Sequence, residues 1–414
     1  MLLNKDPAEH PQGAPTLAES PQAEWSAHQL HSHFQPIVSL AHSRVVGHEA
    51  LLRATTGNGL PVSPQELFAK AERCGEVDVL DRRALATHFA GYAQAKPEGW
   101  LFVNVAARRF STDPNLAAEL FDALSAQGLL PSQVVIEVLE SELQDSAVLR
   151  QTVEELHEYG CLIALDDFGA GHSNLDRIWR LKPHLIKLDR SLVGAAAREP
   201  LINRIMPGLV GLIHEANALV LMEGVETERE ALIAMEADVD LVQGYYFGRP
   251  AATLQGPTVA HTQLDRLWSL HGSTAGLTRQ RHREFIAPYR NAIGYGASLL
   301  RAGYALEAAA QPFMALAQAE CCFLLDADGI QVGANVGRSG APSAADARFE
   351  PLRSQSGAVW SRRPYFQRAL SRPGAVHVTR PYFSLAGLAQ CITVSVAERV
   401  GEQMRIFCGD VRIP

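Results

Sequence analysis

The sequence predicts an α/β chain: a closed (β/α)8 barrel with one antiparallel strand, followed by a smaller domain built on an antiparallel sheet. Three observations carry this expectation. Between residues 30 and 250, eight short β-like runs recur, most of them apolar. Most are separated by segments of about 20 residues or more, long enough for a helix. The first two, by contrast, are joined only by "AHS", whereas a parallel crossover takes about a dozen residues. They must therefore form a hairpin. Apolar runs alternating with helices mark a parallel sheet buried on both faces. Eight of them fit a barrel, although an open doubly wound sheet gives a similar pattern.

In chain order, residues 1–24, rich in Pro, Ala, Gln and Glu, read as a disordered leader. They have one lysine and no long apolar core, unlike a signal peptide. The eight runs are "HFQPIVSL" (33–40), "RVVGHEALLR" (44–53), "LFVNV" (101–105), "VVIEV" (134–138), "LIALDD" (162–167), "HLIKLD" (184–189), "LVLMEGV" (219–225) and "DLVQGYYF" (240–247). "GRPAATLQGP" closes the region, so the barrel is assigned to residues 25–255. Residues 256–320 are largely helix-compatible and read as a helical linker. "CCFLLDADGIQVGANV" then reads as strand, Asp-Gly turn, strand. Three further β-like stretches complete a small domain over 321–414.

Bulk properties narrow the function. The 414 residues are 47% hydrophobic and 20% charged, ordinary for a globular protein. A net charge of -8 and a pI near 6.0 leave no basic footprint, which argues against duplex nucleic acid as a partner. The six cysteines form no Cys-x-x-Cys pair and read as free thiols of a reducing compartment. No apolar run reaches the ~18 residues of a membrane span. No membrane insertion and a cytoplasmic location are therefore expected.

Each run after the first carries a polar residue toward its C-terminal end: Glu49, Asn104, Glu137, Asp166 with Asp167, Lys187, Glu223 and Gln243. Active residues of parallel barrels gather at that mouth. An Asp-Asp pair alone is more often a helix cap or a turn. Seven such positions filled in order, the pair among them, argue for a site. Neighbours in a strand face opposite ways, but at a strand end the backbone turns and both aspartates can lean inward. Five carboxylates against one lysine repel strongly, and divalent cations relieve that. Oxygen ligands without histidine or thiol select Mg²⁺ or Mn²⁺. A two-ion site needs a carboxylate bridging ions about 3.5–4 Å apart, a demand that adjacent aspartates suit. Lys187, between Ile186 and Leu188, is costly in an apolar strand unless paired.

The ordered motifs "FQPIVSL", "HEALLR", "FVNV", "VIEVLES", "LDDFGAGHSNL", "IKLD", "MEGVE" and "QGYYFGRP" resemble the EAL-domain cyclic di-GMP phosphodiesterases over about 34–250. The resemblance implies a TIM-type (β/α)8 barrel with one antiparallel strand and, by position, a set of roles. Glu49, Asn104, Glu137 and Asp166 resemble ligands of a first metal. Asp166 and Asp167 would hold a second, with Glu223 ligating it or orienting its water. Lys187 resembles the lysine that contacts the attacking water or phosphate, and Gln243 the glutamine near metals and nucleophile. Gln35, Arg53 and Asp189 match substrate-binding positions, Arg53 as a guanidinium partner of a phosphate oxygen. Glu140 matches a glutamate that anchors the loop after Asp167.

The implied activity is hydrolysis of cyclic di-GMP to linear pGpG with two Mg²⁺ or Mn²⁺ ions, in a homodimer. The alternative is a catalytically silent receptor that relays cyclic di-GMP occupancy to a protein partner. Two departures stand out: Gly171-His172-Ser173-Asn174 where the family usually has Gly-Tyr-Ser-Ser, and Ala106 in place of a frequent serine. The C-terminal part more weakly resembles a PAS-like Cache/PDC sensor domain of α+β type. That likeness rests on "FLLDADGIQVGANV", "RRPYFQRAL", "VTRPYFSLAG", "CITVSVA" and "CGDVRI". It implies a pocket for an unknown small ligand, with Trp360, Arg363, Tyr365, Tyr382 and Asp410 as its lining.

Overall fold

The computed structural model describes residues 24–95, 98–139, 146–171, 175–256, 261–337, 355–384 and 389–413. The chain divides into two compact units, Met1–Ser273 and Thr274–Pro414. The first unit holds strands β1 (Gln29–Ser39), β2 (Arg44–Thr55), β3 (Pro61–Val62), β4 (Trp100–Asn104), β5 (Val134–Leu139), β6 (Leu162–Phe168), β7 (Leu185–Leu188), β8 (Leu219–Met222) and β9 (Leu241–Val242). Their order is β1-β9-β8-β7-β6-β5-β4-β2-β3, and the additional β1–β2 pairing closes eight of them into a barrel. The two-residue β3 adds to β2 outside the ring and was not expected from the sequence.

The hairpin expectation holds. β1 pairs antiparallel with both β2 and β9, whereas the pairings from β2 through β4 to β9 are all parallel. Ser43, at φ +50, turns the chain between β1 and β2. The last run is shorter than "DLVQGYYF" implied, with strand only at Leu241–Val242. Beyond it the chain folds against Val225, which donates to the Gln243 carbonyl and accepts from Tyr246 N–H. Gly244 permits that approach, since a Cβ there would stand 2.0 Å from the Val225 oxygen.

Among the described residues, nine helices of this unit cover the barrel: α1 (Pro64–Arg73), α2 (Val77–Ala95), α3 (Ala107–Thr112), α4 (Leu116–Ser125), α5 (Ala147–Tyr159), α6 (Asp176–Leu181), α7 (Arg190–Arg198), α8 (Pro200–Glu215) and α9 (Glu228–Glu236). Local sequence starts several of them. Ser63, Ser146 and Thr227 accept the third backbone N–H of α1, α5 and α9, and Glu230 completes a capping box on α9. The strands read as unbroken apolar runs because both faces are buried. Leu101, Val103, Ile136, Ile163, Leu165, Ile186 and Val220 face the helices. Ile37, Phe102, Val135, Ala164, Leu185, Leu221 and Leu241 fill the barrel interior as a second cluster.

The helix α10 (His261–Arg301) runs from the first unit into the second, which continues with α11 (Leu306–Met314), β10 (Ala319–Leu325), β11 (Gln331–Gly337), α12 (Pro364–Ser371), β12 (His377–Val378), β13 (Tyr382–Ser384), β14 (Ala389–Val400) and β15 (Gln403–Arg412). Residues 256–320 are thus more than a linker. Ile286, Tyr289, Ile293, Ala297 and Leu300 of α10 and Ala309 and Phe313 of α11 form the core of the second unit with Ile392, Val394, Phe407 and Val411. The sheet is antiparallel, in the order β11-β10-β15-β14-β12, with β13 also on β14. The expected turn is present: Asp326 accepts from Gly329 N–H, and Gly329 has φ +78. All six cysteines are free, five of them buried. Among the described residues no helix is long and apolar enough to cross a membrane.

Candidate metal centre and active site

The interior cluster places the polar residues. Strand side chains alternate in facing, so the inward position after each apolar plug residue lies two residues further toward the mouth. Phe102 is followed by Asn104, Val135 by Glu137, Ala164 by Asp166, Leu185 by Lys187, Leu221 by Glu223 and Leu241 by Gln243. On the antiparallel β1 the step runs backward, from Ile37 to Gln35, which faces Glu49 in register. Glu49 itself follows Gly47, where a Cβ would stand 2.8 Å from the Trp100 carbonyl. One polar ring thus lies about 7 Å above one apolar ring.

Lys187, 1% exposed, stands in the middle of that ring. Its Nζ lies 2.5 Å from Glu137 Oε1, 2.7 Å from Glu223 Oε1, 3.1 Å from Asp166 Oδ1 and 3.8 Å from Glu49 Oε1. Gln243 Nε2 donates to Glu49 Oε2 at 2.5 Å and to Gln35 Oε1 at 3.2 Å. Asn104 Nδ2 donates to Glu49 Oε1 at 3.0 Å, and Gln35 Nε2 to the Gly248 carbonyl at 3.2 Å. Asp167 joins the ring although it follows Asp166 directly. Its φ of +58 is left-handed and the β6–β7 register shifts beyond Leu165, so the alternation of faces lapses there. Its N–H donates to Asp166 Oδ1 at 2.9 Å. One oxygen from each of Asp166, Asp167 and Glu223 lies within 4.8 Å of the others.

Charge is out of balance: five carboxylates surround one ammonium. Burial, reinforced by Glu49, Asp166 and Glu223, pushes the Glu137 carboxyl well above its usual range despite Lys187. Burial likewise raises Glu223 to about 8, against the pull of Lys187. Asp167 is raised by burial and by Asp166 and Asp189. Burial works to lower Lys187, but Asp166, Glu137, Glu223 and Glu49 outweigh it and hold the ammonium charged. Both oxygens of Glu137 are buried without a well-directed hydrogen bond, the Lys187 contact notwithstanding. Uncompensated, all-oxygen donors of this kind fit a hard divalent cation.

The remaining expected residues fall as follows. Arg53 pairs in register with His31, four residues along β2 from Glu49, and its Nη1 donates to the Leu52 carbonyl at 2.8 Å. Asp189 caps α7, accepting from Ser191 N–H at 2.8 Å. Glu140 and residues 172–174 lie outside the described residues. No motif singled out His31 and His33, yet they share the inward face of β1 with Gln35. Their period-two spacing from Gln35 was the available signal. In the second unit, Trp360, Arg363, Tyr365, Tyr382 and Asp410 line one small cavity of about 20 Å³ together with Phe323, Gln355 and Ser384, space for about one water. Arg363 lies 5.8 Å from each of the Trp360 and Tyr382 ring centres. Asp410 accepts from Thr393 and Ser384 hydroxyls, and burial raises it to about 6.

Comparison with known proteins matches the EAL domain family model to residues 18–250. Among curated proteins, the cyclic di-GMP phosphodiesterase NbdA of Pseudomonas aeruginosa is 32% identical over 233 residues, 54% of this chain and 29% of that one. The signaling protein YkoW of Bacillus subtilis is 29% identical over 227 residues, 53% of this chain and 28% of that one. The chain therefore spans less than a third of the length of these relatives. Among solved structures, the YkuI protein of Bacillus subtilis, with an EAL domain and in complex with c-di-GMP and calcium, has a TM-score of 0.77 at 21% identity, covering 94% of this chain and 97% of that one. That likeness is one of fold and extends over nearly the whole chain. The Klebsiella pneumoniae BlrP1 calcium and cyclic di-GMP complex has a TM-score of 0.50 at 31% identity, covering 58% and 60%. With the matched model spanning more than half of its length, the chain belongs to the EAL-domain family.

Proposed function

We propose that the chain is a divalent-cation-dependent phosphodiesterase that opens cyclic di-GMP to linear pGpG. The observation that carries this reading is the oxygen-only ring around Lys187, in which two buried Glu137 oxygens lack a directed partner. Glu49, Asn104, Glu137, Asp166, Asp167 and Glu223 would hold two ions, Mg²⁺ or Mn²⁺ by the hardness of the donors. The ions supply, when bound, the lowered pKa of an attacking water and the neutralisation of phosphoryl oxygens. The chain's own part is positioning. Gln243 and Asn104 clamp the two oxygens of Glu49 from opposite sides. Lys187 keeps its charge among the carboxylates, available to a phosphate oxygen or an attacking oxygen. Gln35, held to Gly248 and Gln243, Arg53 and Asp189 would bind the dinucleotide, and Glu140 would anchor the loop after Asp167.

The second unit is read as a PAS-like, Cache-type sensor that regulates the barrel. Its single antiparallel sheet and the cavity lined by Trp360, Arg363, Tyr365, Tyr382 and Asp410 support that reading. A homodimer in the cytoplasm completes the proposal, on the family resemblance and on six free thiols. The test is incubation of the purified chain with cyclic di-GMP and Mg²⁺ or Mn²⁺, followed by chromatography. Linear pGpG is expected. Binding without linear product would assign the chain to the receptor class instead.

A further inference from the structure

Asn104 is the last residue of β4 and is exposed, so packing does not fix its side chain. Its Nδ2 donates to Glu49 Oε1 at 3.0 Å, which leaves its oxygen as the donor to a cation. On the β5 side it pairs in register with Glu137, and the next N–H, that of Val105, reaches the Glu137 carbonyl only at 3.5 Å. One residue further the chain turns into α3. Ala106 is the N-cap of that helix and supplies no side-chain cap; alanine is among the poorest residues there. In a capping box, a Glu or Gln at the third helical position accepts from the N-cap N–H. Here that position is Arg109, whose guanidinium has no acceptor.

The acceptor comes from α2 instead. Asp81, 3% exposed, accepts from Ala106 N–H through Oδ1 at 3.2 Å and from Arg109 Nη1 through Oδ2 at 2.9 Å. Arg109 Nη2 is bonded in turn to Asp113 and Glu119, so the Asp81 carboxylate rests on an anchored fork. One turn earlier on α2, Asp78 makes a bidentate pair with Arg108 at 2.7 and 2.8 Å, but among the described residues it bonds to no backbone of the turn. Both pairs dock α3 on α2. Only Asp81 also grips the backbone two residues from Asn104. Building on the phosphodiesterase reading, we propose that Asp81 is a positioning residue of the metal centre. It completes from a neighbouring helix the cap that α3 lacks, and by fixing the β4–α3 turn it holds Asn104 in place as a ligand.

The test is Mn²⁺ binding to the full chain without substrate, by titration calorimetry, with unfolding in chelator as the control for folding. Asp81→Ala is expected to weaken Mn²⁺ binding about 10–100-fold, the usual loss when a partner that orients a metal ligand is removed. Asp81→Asn keeps an oxygen for Ala106 N–H and should recover part of that loss. Asp78→Ala, which breaks only the docking pair, should stay within about twofold of wild type. In a double-mutant cycle, Asp81→Ala added to Asn104→Ala should weaken binding no further than Asn104→Ala alone. Unchanged affinity in Asp81→Ala, an equal loss in Asp78→Ala, no recovery in Asp81→Asn, or losses that add in the cycle overturn the assignment while the parent reading stands. Should Asp81→Ala not fold, Asp81→Leu combined with Arg109→Leu removes the same acceptor without stranding a buried charge, and the same loss is expected of it. A wild-type chain that binds no Mn²⁺ overturns the parent reading itself.

Discussion

Stripping divalent cations and raising the pH should unfold the first unit more easily, by an amount that Glu223 sets. Its carboxyl is raised from an ordinary 4.5 to about 8, by burial first. The folded protein therefore holds a proton that the unfolded chain has already released, so stability is full in acid and is lost as pH rises toward 8. His48 and His88, lowered to about 4 by burial, act in the opposite sense, but only up to their ordinary 6.5. Asp410, raised to about 6, is nearly spent by then. The clean window is thus pH 6.5 to 8, over which one carboxyl gives a slope of about 1.4 kcal/mol per pH unit and a loss of about 2 kcal/mol. Glu137 and Asp167 are shifted in the same direction, while Lys187 stays charged throughout. For a unit of this size the loss lowers Tm by about 4–8 °C. Calorimetry in chelator at several pH values measures it, and Mn²⁺ at pH 8 should restore the Tm. Glu223→Gln removes that carboxyl and should make the profile shallower by about that slope, leaving what Glu137 and Asp167 contribute. A flat wild-type profile, or the same slope in the variant, refutes the reasoning.

Three other outcomes follow from the geometry. Glu49→Ala removes a carboxylate clamped by Gln243 and Asn104; pGpG formation should fall at least a thousandfold while the circular dichroism spectrum is retained. Asp167→Gly relieves a left-handed side chain at φ +58 but deletes an oxygen from the ring. Turnover should be lost with stability unchanged or raised by about 1 kcal/mol, and a destabilised variant would show that Asp167 serves the fold instead. Arg109 is fully buried and bonded to Asp81, Asp113 and Glu119. Arg109→Ala leaves the buried Asp81 uncompensated and should cost about 3–5 kcal/mol in denaturant unfolding, a loss that added Mn²⁺ does not repair.

Glu137, Asp166 and Glu223 were legible in the sequence because each sits two places beyond an apolar strand position, where alternation decides the facing. The hairpin was legible for the opposite reason: three residues cannot make a crossover. What resisted was set by backbone detail. The two-residue β9 could not be told from the longer run, because the fold of Gly244 against Val225 leaves no trace in hydropathy. That Asp167 joins Asp166 was expected from the turning strand end, but the left-handed φ by which it does so is one that "LDDFG" permits without declaring. In the second unit, Gly, Ser and Ala within 294–303 obscured an apolar face that the structure packs into a core. Histidines 31 and 33 went unread because they belong to no motif. Only their spacing from Gln35 marks them.

The seven hydrocarbon side chains beneath the acids make the barrel a blind well. Nothing of molecular size passes through its floor, so every solute that reaches Lys187 arrives and departs through a single opening. On the phosphodiesterase reading, reactant and spent product take turns in the same shaft, and whatever lingers there delays its successor.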